Sequence, residues 1–89
     1  MFEVYNNKTV YKENNVILGE VTYCNISSDI VDVNHTYVDI KLRGKGIADK
    51  LLAHAFLYFK ENNIKVKRSC SYAKKWITNH SEYQDLLMK

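Results

Sequence analysis

Two adjoining stretches decide the fold: Val31-Asp32-Val33-Asn34-His35-Thr36-Tyr37-Val38, and Leu42-Arg43-Gly44-Lys45-Gly46-Ile47-Ala48. In the first, Val31, Val33, His35 and Tyr37 alternate with Asp32, Asn34, Thr36 and Val38, the period of a strand with one face inward. This alternation predicts that His35 and Tyr37 share the face of Val31 and Val33. After Gly46, apolar residues fall at Ile47, Leu51, Leu52, Ala55, Tyr58 and Phe59, one side of an amphipathic helix. Between the two lie two glycines and two cations, Arg43 and Lys45. Glycine permits backbone angles closed to other residues and close approach to a ligand. A turn that opens a helix also points unpaired N–H groups and the positive end of the helix dipole at one place. Phosphate is the natural occupant of such a place. The same spacing also suits a tight, solvated connection. The stretch is neither a P-loop, which needs G-x-x-x-x-G-K-S/T, nor a dinucleotide fingerprint, which needs a third glycine.

Working outward, Phe2–Tyr5 and Lys8–Lys12 read as a hairpin across Asn6-Asn7, with a second turn at Glu13-Asn14-Asn15. Val16–Cys24 is strand-like, with Ile17, Gly19, Val21 and Tyr23 on one face. Asn25–Asp29 close a further hairpin onto the strand Ile30–Val38. The helix is expected from about Gly44 to Glu61, stopped by Asn62-Asn63. A short strand Ile64–Cys70 follows, so strand, helix and strand form a parallel crossover. Tyr72–Thr78 and Ser81–Leu87 read as two short helices, Ser81 as the N-cap of the second. The expected class is α+β: a mostly antiparallel sheet with a βαβ unit and short C-terminal helices, in one domain over residues 1–89.

Composition bounds the rest. Eighty-nine residues are near the lower limit for an independent core. An apolar fraction of 46%, with seven Tyr, three Phe and one Trp, suits a globular fold. No apolar run is long enough to span a bilayer, and Met1-Phe2-Glu3-Val4-Tyr5 lacks a signal pattern, which reads as a cytoplasmic chain. There Cys24 and Cys70 are expected to be reduced. The net charge of +3 is concentrated at Lys60, Lys65, Lys67, Arg68, Lys74 and Lys75. With no nucleic-acid motif beside it, this reads as a solvated surface.

Arg43-Gly44-Lys45-Gly46-Ile47-Ala48 resembles the R-x-x-G-x-A pyrophosphate motif of the GNAT acyltransferases. Asn34-His35-Thr36-Tyr37-Val38 upstream, Arg68-Ser69-Cys70-Ser71-Tyr72 downstream and the terminal Ser81-Glu82-Tyr83-Gln84-Asp85-Leu86-Leu87 are similar, in order and spacing, to the compact YjdJ-type N-acetyltransferases. The resemblance implies a GNAT-like fold and acetyl transfer from acetyl-coenzyme A to an amine acceptor: a small amine, a polyamine, a protein N-terminus or a lysine. It implies a pantetheine arm lying where two parallel strands splay, with backbone groups offered by Val38 and Asp39. Arg43, Gly44, Lys45, Gly46, Ile47 and Ala48 would hold the pyrophosphate. GNAT domains usually carry further N-terminal helices that shape the acceptor pocket, so the coenzyme site is the better supported of the two.

The residues open to chemistry are few. Cys70 follows the last strand, near Lys67, Arg68 and a helix start, neighbours that favour a thiolate able to carry an acyl group. It equally suits a small packed hydrophobe. His35 is a candidate base and also a candidate hydrogen-bonded core residue. Tyr72 is a candidate acid for the leaving thiolate or a packed ring, and Glu20 a weaker base acting through water. Cys24 reads as structural, Trp76 and Tyr83 as packing, and no His/Cys spacing fits a metal. The alternative to an enzyme is a coenzyme-A-binding module acting as a sensor or interaction partner.

Overall fold

The computed structural model describes residues 1–68 and 71–87. Strands β1 (Phe2–Val4), β2 (Lys8–Glu13), β3 (Val16–Ser27) and β4 (Ile30–Val38) form an antiparallel meander. Helix α1 (Ile47–Glu61) then crosses over to β5 (Lys65–Arg68), which pairs parallel to β4 and closes the sheet in the order β1-β2-β3-β4-β5. Helix α2 (Ser71–Thr78) and a 3₁₀ turn (Ser81–Leu86) complete the chain, and Leu87 bridges Val66 so that the outer side of β5 is covered.

The turns follow from local chemistry. Asn14 and Asn15 take left-handed backbone angles (φ 51° and 65°), which asparagine tolerates better than most residues. Asn63, also left-handed at φ 56°, ends α1. There the Ile64 N–H bonds the Phe59 carbonyl at 2.8 Å and the Asn63 N–H bonds the Lys60 carbonyl at 3.3 Å. Phe59 and Ile64 are both buried, the apolar contact that accompanies this type of helix end. The helix begins at Ile47 rather than Gly44, because Ile40–Leu42 wind into a 3₁₀ turn and residues 43–46 form the connection. Ser81 does not cap the last element: it lies inside the 3₁₀ turn, and His80 precedes it.

Helix α1 packs along one face of the whole sheet. Its buried stripe is Leu51, Leu52, Ala55, Phe56 and Phe59, with Tyr58 half-buried. Phe56 is the widening of the stripe that the sequence periodicity leaves out; its ring lies 5.2 Å from Trp76 and 5.5 Å from Phe59. Val21, Tyr23, Val31, Val33 and Val66 supply the sheet's half of the core, and Ala73, Trp76, Ile77 and Leu86 the C-terminal half.

The alternation of β4 breaks midway. Tyr23 pairs with Val33 but Thr22 pairs with His35, so β4 carries one extra residue at Asn34. Paired residues share a face. Val33 therefore lies on the helix face opposite Tyr23, whereas Thr36, opposite the buried Val21, and Val38, opposite Gly19, continue that face. His35 and Tyr37 consequently lie on the far face, and both are exposed. The expectation that they share the face of Val31 and Val33 is corrected by this bulge. Cys24, read from the sequence as structural, is a free exposed thiol.

Gly19 lies on β3 under the first turns of α1. A Cβ there would stand 3.0 Å from Leu51 Cδ1 and 3.3 Å from the Tyr37 carbonyl oxygen. Gly19→Val should destabilise the fold by about 1–3 kcal/mol, the usual range for overpacking, measurable as a lower urea midpoint. Tyr23, on the same face, donates its hydroxyl to the Tyr5 carbonyl at 2.6 Å and meets Thr9 Oγ1 at 3.2 Å. Burial pushes its pKa up to about 12, against which the Thr9 hydrogen bond works weakly. The folded state thus holds this proton more tightly than the unfolded chain. Stability is expected to be intact below about pH 10 and to fall as pH rises towards about 12; Tyr23→Phe should flatten that decline in alkaline denaturation curves.

Candidate active site

Beyond Val33, β4 runs on through Asn34–Val38 after its last described pairing with β5, Val33 with Arg68. The bulge at Asn34 follows that pair, and a bulge increases local twist and bends the strand. Residues 34–38 thereby gain a side not covered by the described part of β5. A hydrogen bond from Arg43 Nε to the Val38 carbonyl (3.2 Å) folds the Arg43 side chain back onto the strand end. Arg43 is otherwise exposed.

The 43–46 connection is shaped by its glycines. Gly44 and Gly46 adopt φ +83° and +77°, and a Cβ built on either meets nothing within 4 Å. The constraint here is the backbone angle and not crowding. Gly46 is also the N-cap of α1, and no side chain caps the first turn. In most helices a Ser, Thr, Asp or Asn oxygen takes an N–H at this point. Without one, the dipole end and the first-turn amides remain available to an anion.

These elements enclose one cleft of about 640 Å³, lined by residues from β4, the connection, the start of α1 and α2. His35, Val38, Arg43, Gly44, Gly46, Ile47, Ala48 and Tyr72 all line it. Asp39 and Lys45 do not. Asp39 starts the 3₁₀ turn: its N–H bonds the Leu18 carbonyl (2.7 Å), its carbonyl accepts the Leu42 N–H (2.9 Å), and its carboxylate accepts the Lys41 N–H (2.9 Å). With those groups engaged locally, no N–H of Asp39 is left for a ligand. Lys45 is exposed outside the lining. Thr36, Tyr37 and Leu42, which the sequence reading did not select, are lining residues. The glycine turn implicated Leu42 by proximity, but nothing local signalled the phase change that brings Thr36 and Tyr37 to the rim.

Tyr72, exposed, stands across from the β4 edge. Glu20 pairs with Tyr37 and is half-buried on the far face, away from the glycine turn. Thr22, opposite His35, donates its hydroxyl to Asn34 Oδ1 at 2.7 Å, which ties down the bulge. Cys70 lies outside the described residues. Among the described residues no group of three or more His, Cys, Asp or Glu side chains could hold a metal ion, and no helix is long and apolar enough to cross a membrane.

The cleft thus runs from residues 35–38 of β4, beyond the described pairing with β5, to the glycine turn and the uncapped start of α1. Gly44→Ala and Gly46→Ala should each cost about 1–2 kcal/mol through the left-handed backbone alone. Urea denaturation would read that cost, and circular dichroism should show the helix content retained.

A model of the GCN5-related N-acetyltransferase family matches residues 2–86. Among solved structures, a GCN5-like N-acetyltransferase candidate from Staphylococcus aureus, determined by NMR, is 31% identical over 99% of this chain and 87% of that one, with a TM-score of 0.77. A GNAT family acetyltransferase from Elizabethkingia anophelis with acetyl-CoA bound has a TM-score of 0.61 at 19% identity, over 85% of this chain and 51% of that one. A Mycobacterium tuberculosis protein in complex with CoA has a TM-score of 0.65 at 14% identity, over 84% of this chain and 47% of that one. The chain spans about half the length of the last two, with which it shares the fold. No curated protein matches it significantly.

Proposed function

The chain belongs to the GCN5-related N-acetyltransferase family, and on that premise we propose that it transfers an acetyl group from acetyl-coenzyme A to an amine. The observation that carries this reading is the continuity of the cleft. The strand end at residues 35–38, beyond the described pairing of β4 with β5, leads directly to an uncapped helix start behind two left-handed glycines. Coenzyme A has that order of groups: a pantetheine arm whose two amides suit a strand edge, then a pyrophosphate that suits a helix N-terminus. Gly44, Gly46, Ile47 and Ala48 would hold the pyrophosphate through backbone N–H groups, with Arg43 adding charge. The ordered motifs favour the compact YjdJ-type branch of the family.

The chemistry asks for little beyond positioning. An amine nitrogen attacks the thioester carbonyl, the carbon–nitrogen bond forms, and the carbon–sulfur bond then breaks. Strand-edge N–H groups stabilise the carbonyl oxygen as charge develops on it. His35, exposed on the far face at the cleft rim, is the group we assign to take the proton released from the amine. Tyr72 is assigned to protonate the departing thiolate. The bulge supports this pairing, because it turns His35 out of the core to the side from which an acceptor can approach. The two-step alternative uses Cys70, on its place after β5 in the sequence: its thiolate takes the acetyl group and releases coenzyme A thiolate, and the amine then attacks the Cys70 thioester and frees the thiolate again.

Coenzyme A at about a hundred times its Kd should add about 2.7 kcal/mol of stability, seen as a raised melting temperature, and Gly46→Val should abolish the shift. Intact-protein mass spectrometry after incubation with acetyl-coenzyme A tests the finer step. A single acetyl group that disappears in Cys70→Ala supports the acyl-enzyme; no adduct in either protein, with stabilisation retained, means direct transfer. An absence of any stabilisation by coenzyme A would sink the transferase reading itself.

A further inference from the structure

The first turn of α1 carries one acidic side chain, Asp49. An acidic group in a first turn is drawn to the unpaired N–H groups of its own helix, both by its charge and as a hydrogen-bond acceptor. Those N–H groups are the ones assigned above to the pyrophosphate of coenzyme A. Asp49 is therefore a built-in competitor for them. In the structure it does not compete. Its Oδ1 accepts the Nε1–H of Trp76 on α2, and no side chain caps the start of α1.

We propose that Trp76 is a positioning residue for coenzyme binding: its indole N–H holds the Asp49 carboxylate away from the α1 amides and so keeps them open to the pyrophosphate. The inference rests on the coenzyme reading of the cleft, and it concerns a residue that acts on the anion site through another side chain.

The direction of that N–H is set by packing. Trp76 is buried, with its ring stacked 5.2 Å from Phe56 on one element and 3.8 Å from His80 on another. His80 is tied back in turn, its Nδ1 meeting the Trp76 carbonyl at 2.7 Å. An indole N–H donates and never accepts, and a buried donor left without an acceptor is costly. Trp76 therefore holds the carboxylate for its own sake, before any ligand arrives. Asp49 has little else to hold it: its side chain is 54% exposed, and its other contact, His80 Nε2 at 3.5 Å, is longer than a hydrogen bond. With the indole N–H removed, the carboxylate is released beside the first-turn amides.

Calorimetric Kd values for coenzyme A would be measured with the wild type, Trp76→Phe, Asp49→Ala and the double variant. Phenylalanine keeps an aromatic ring in the stack and removes the N–H. Trp76→Phe should weaken binding about fivefold, the worth of one capping hydrogen bond, and adding Asp49→Ala should bring it back to within about twofold of the wild type. A loss that the double variant does not recover would mean that the indole serves binding in another way, and no loss would mean that the carboxylate stays in place. Either overturns the proposal. So does an equal gain from Asp49→Ala in both backgrounds, which is charge repulsion alone. The ligand-free chain gives a second readout by NMR. Asp49→Ala should move the Ala48 amide resonance further in the Trp76→Phe background than in the wild type; an equal move overturns the release of the carboxylate whatever coenzyme A does. A wild type that fails to bind coenzyme A overturns the coenzyme reading instead, and with it the role of Trp76. Melting curves check that each variant is folded. Should Trp76→Phe not fold, 3-benzothienylalanine at position 76, which keeps the indole shape without its N–H, takes its place in the same four measurements.

Discussion

One extra residue in β4, at Asn34, governs the geometry of the site. In a regular strand the side chains on one face recur every second residue, and an inserted residue moves every later side chain to the other face. Val31 and Val33 point into the core before the insertion; Thr36 and Val38 take over that role after it. The insertion also follows the last pairing of β4 with the described length of β5, and the residues after it line the cleft. Core continuity and the outward position of His35 and Tyr37 thus share a single cause. Thr22, bonded to Asn34 from the partner strand, holds the irregularity in place.

Helix α1 serves the core with its stripe and the site with its first turn. Leu51, Leu52, Ala55, Phe56 and Phe59 anchor it over the sheet, and burial of side chains of this size contributes about 1.5–3 kcal/mol each for the larger ones. The anchoring reaches close to the N-terminus, because Gly19 lets β3 come within van der Waals distance of Leu51 and Ile47. A helix start held this firmly presents its uncapped amides in fixed directions. That is the pre-organisation an anion site needs, since donors already in place have little ordering left to do when a ligand arrives.

The C-terminal segment is attached through aromatic rings more than through regular structure. Trp76 stacks on Phe56 of α1 and on His80, and Tyr83 stacks on Trp76. Its Nε1–H reaches Asp49 in the first turn of α1. This contact gives the indole a polar partner at the edge of the core, as a buried tryptophan requires. It also joins α2, which carries Tyr72 of the cleft lining, to the first turn of α1.

Much of this was legible in the residues taken in order. Period-two runs, asparagine turns, the apolar stripe after Gly46 and the glycine pair itself depend on chemistry within a few positions, and the structure has strands, turns, helix and left-handed glycines there. The sequence order also places a parallel strand after the crossover helix. The phase of β4 past Val33 was not legible, because Asn34, His35, Thr36 and Tyr37 are tolerated on either face and only pairing with β3 selects one. The local role of Asp39 was hidden for the same kind of reason, its N–H being taken by Leu18 on a neighbouring strand. The contact between α2 and the start of α1 lay furthest from view: Asp49 and Trp76 are 27 residues apart, and ring packing across the core is what brings them together. Local propensity decides the elements, while cross-strand register and long-range packing decide which side chains meet.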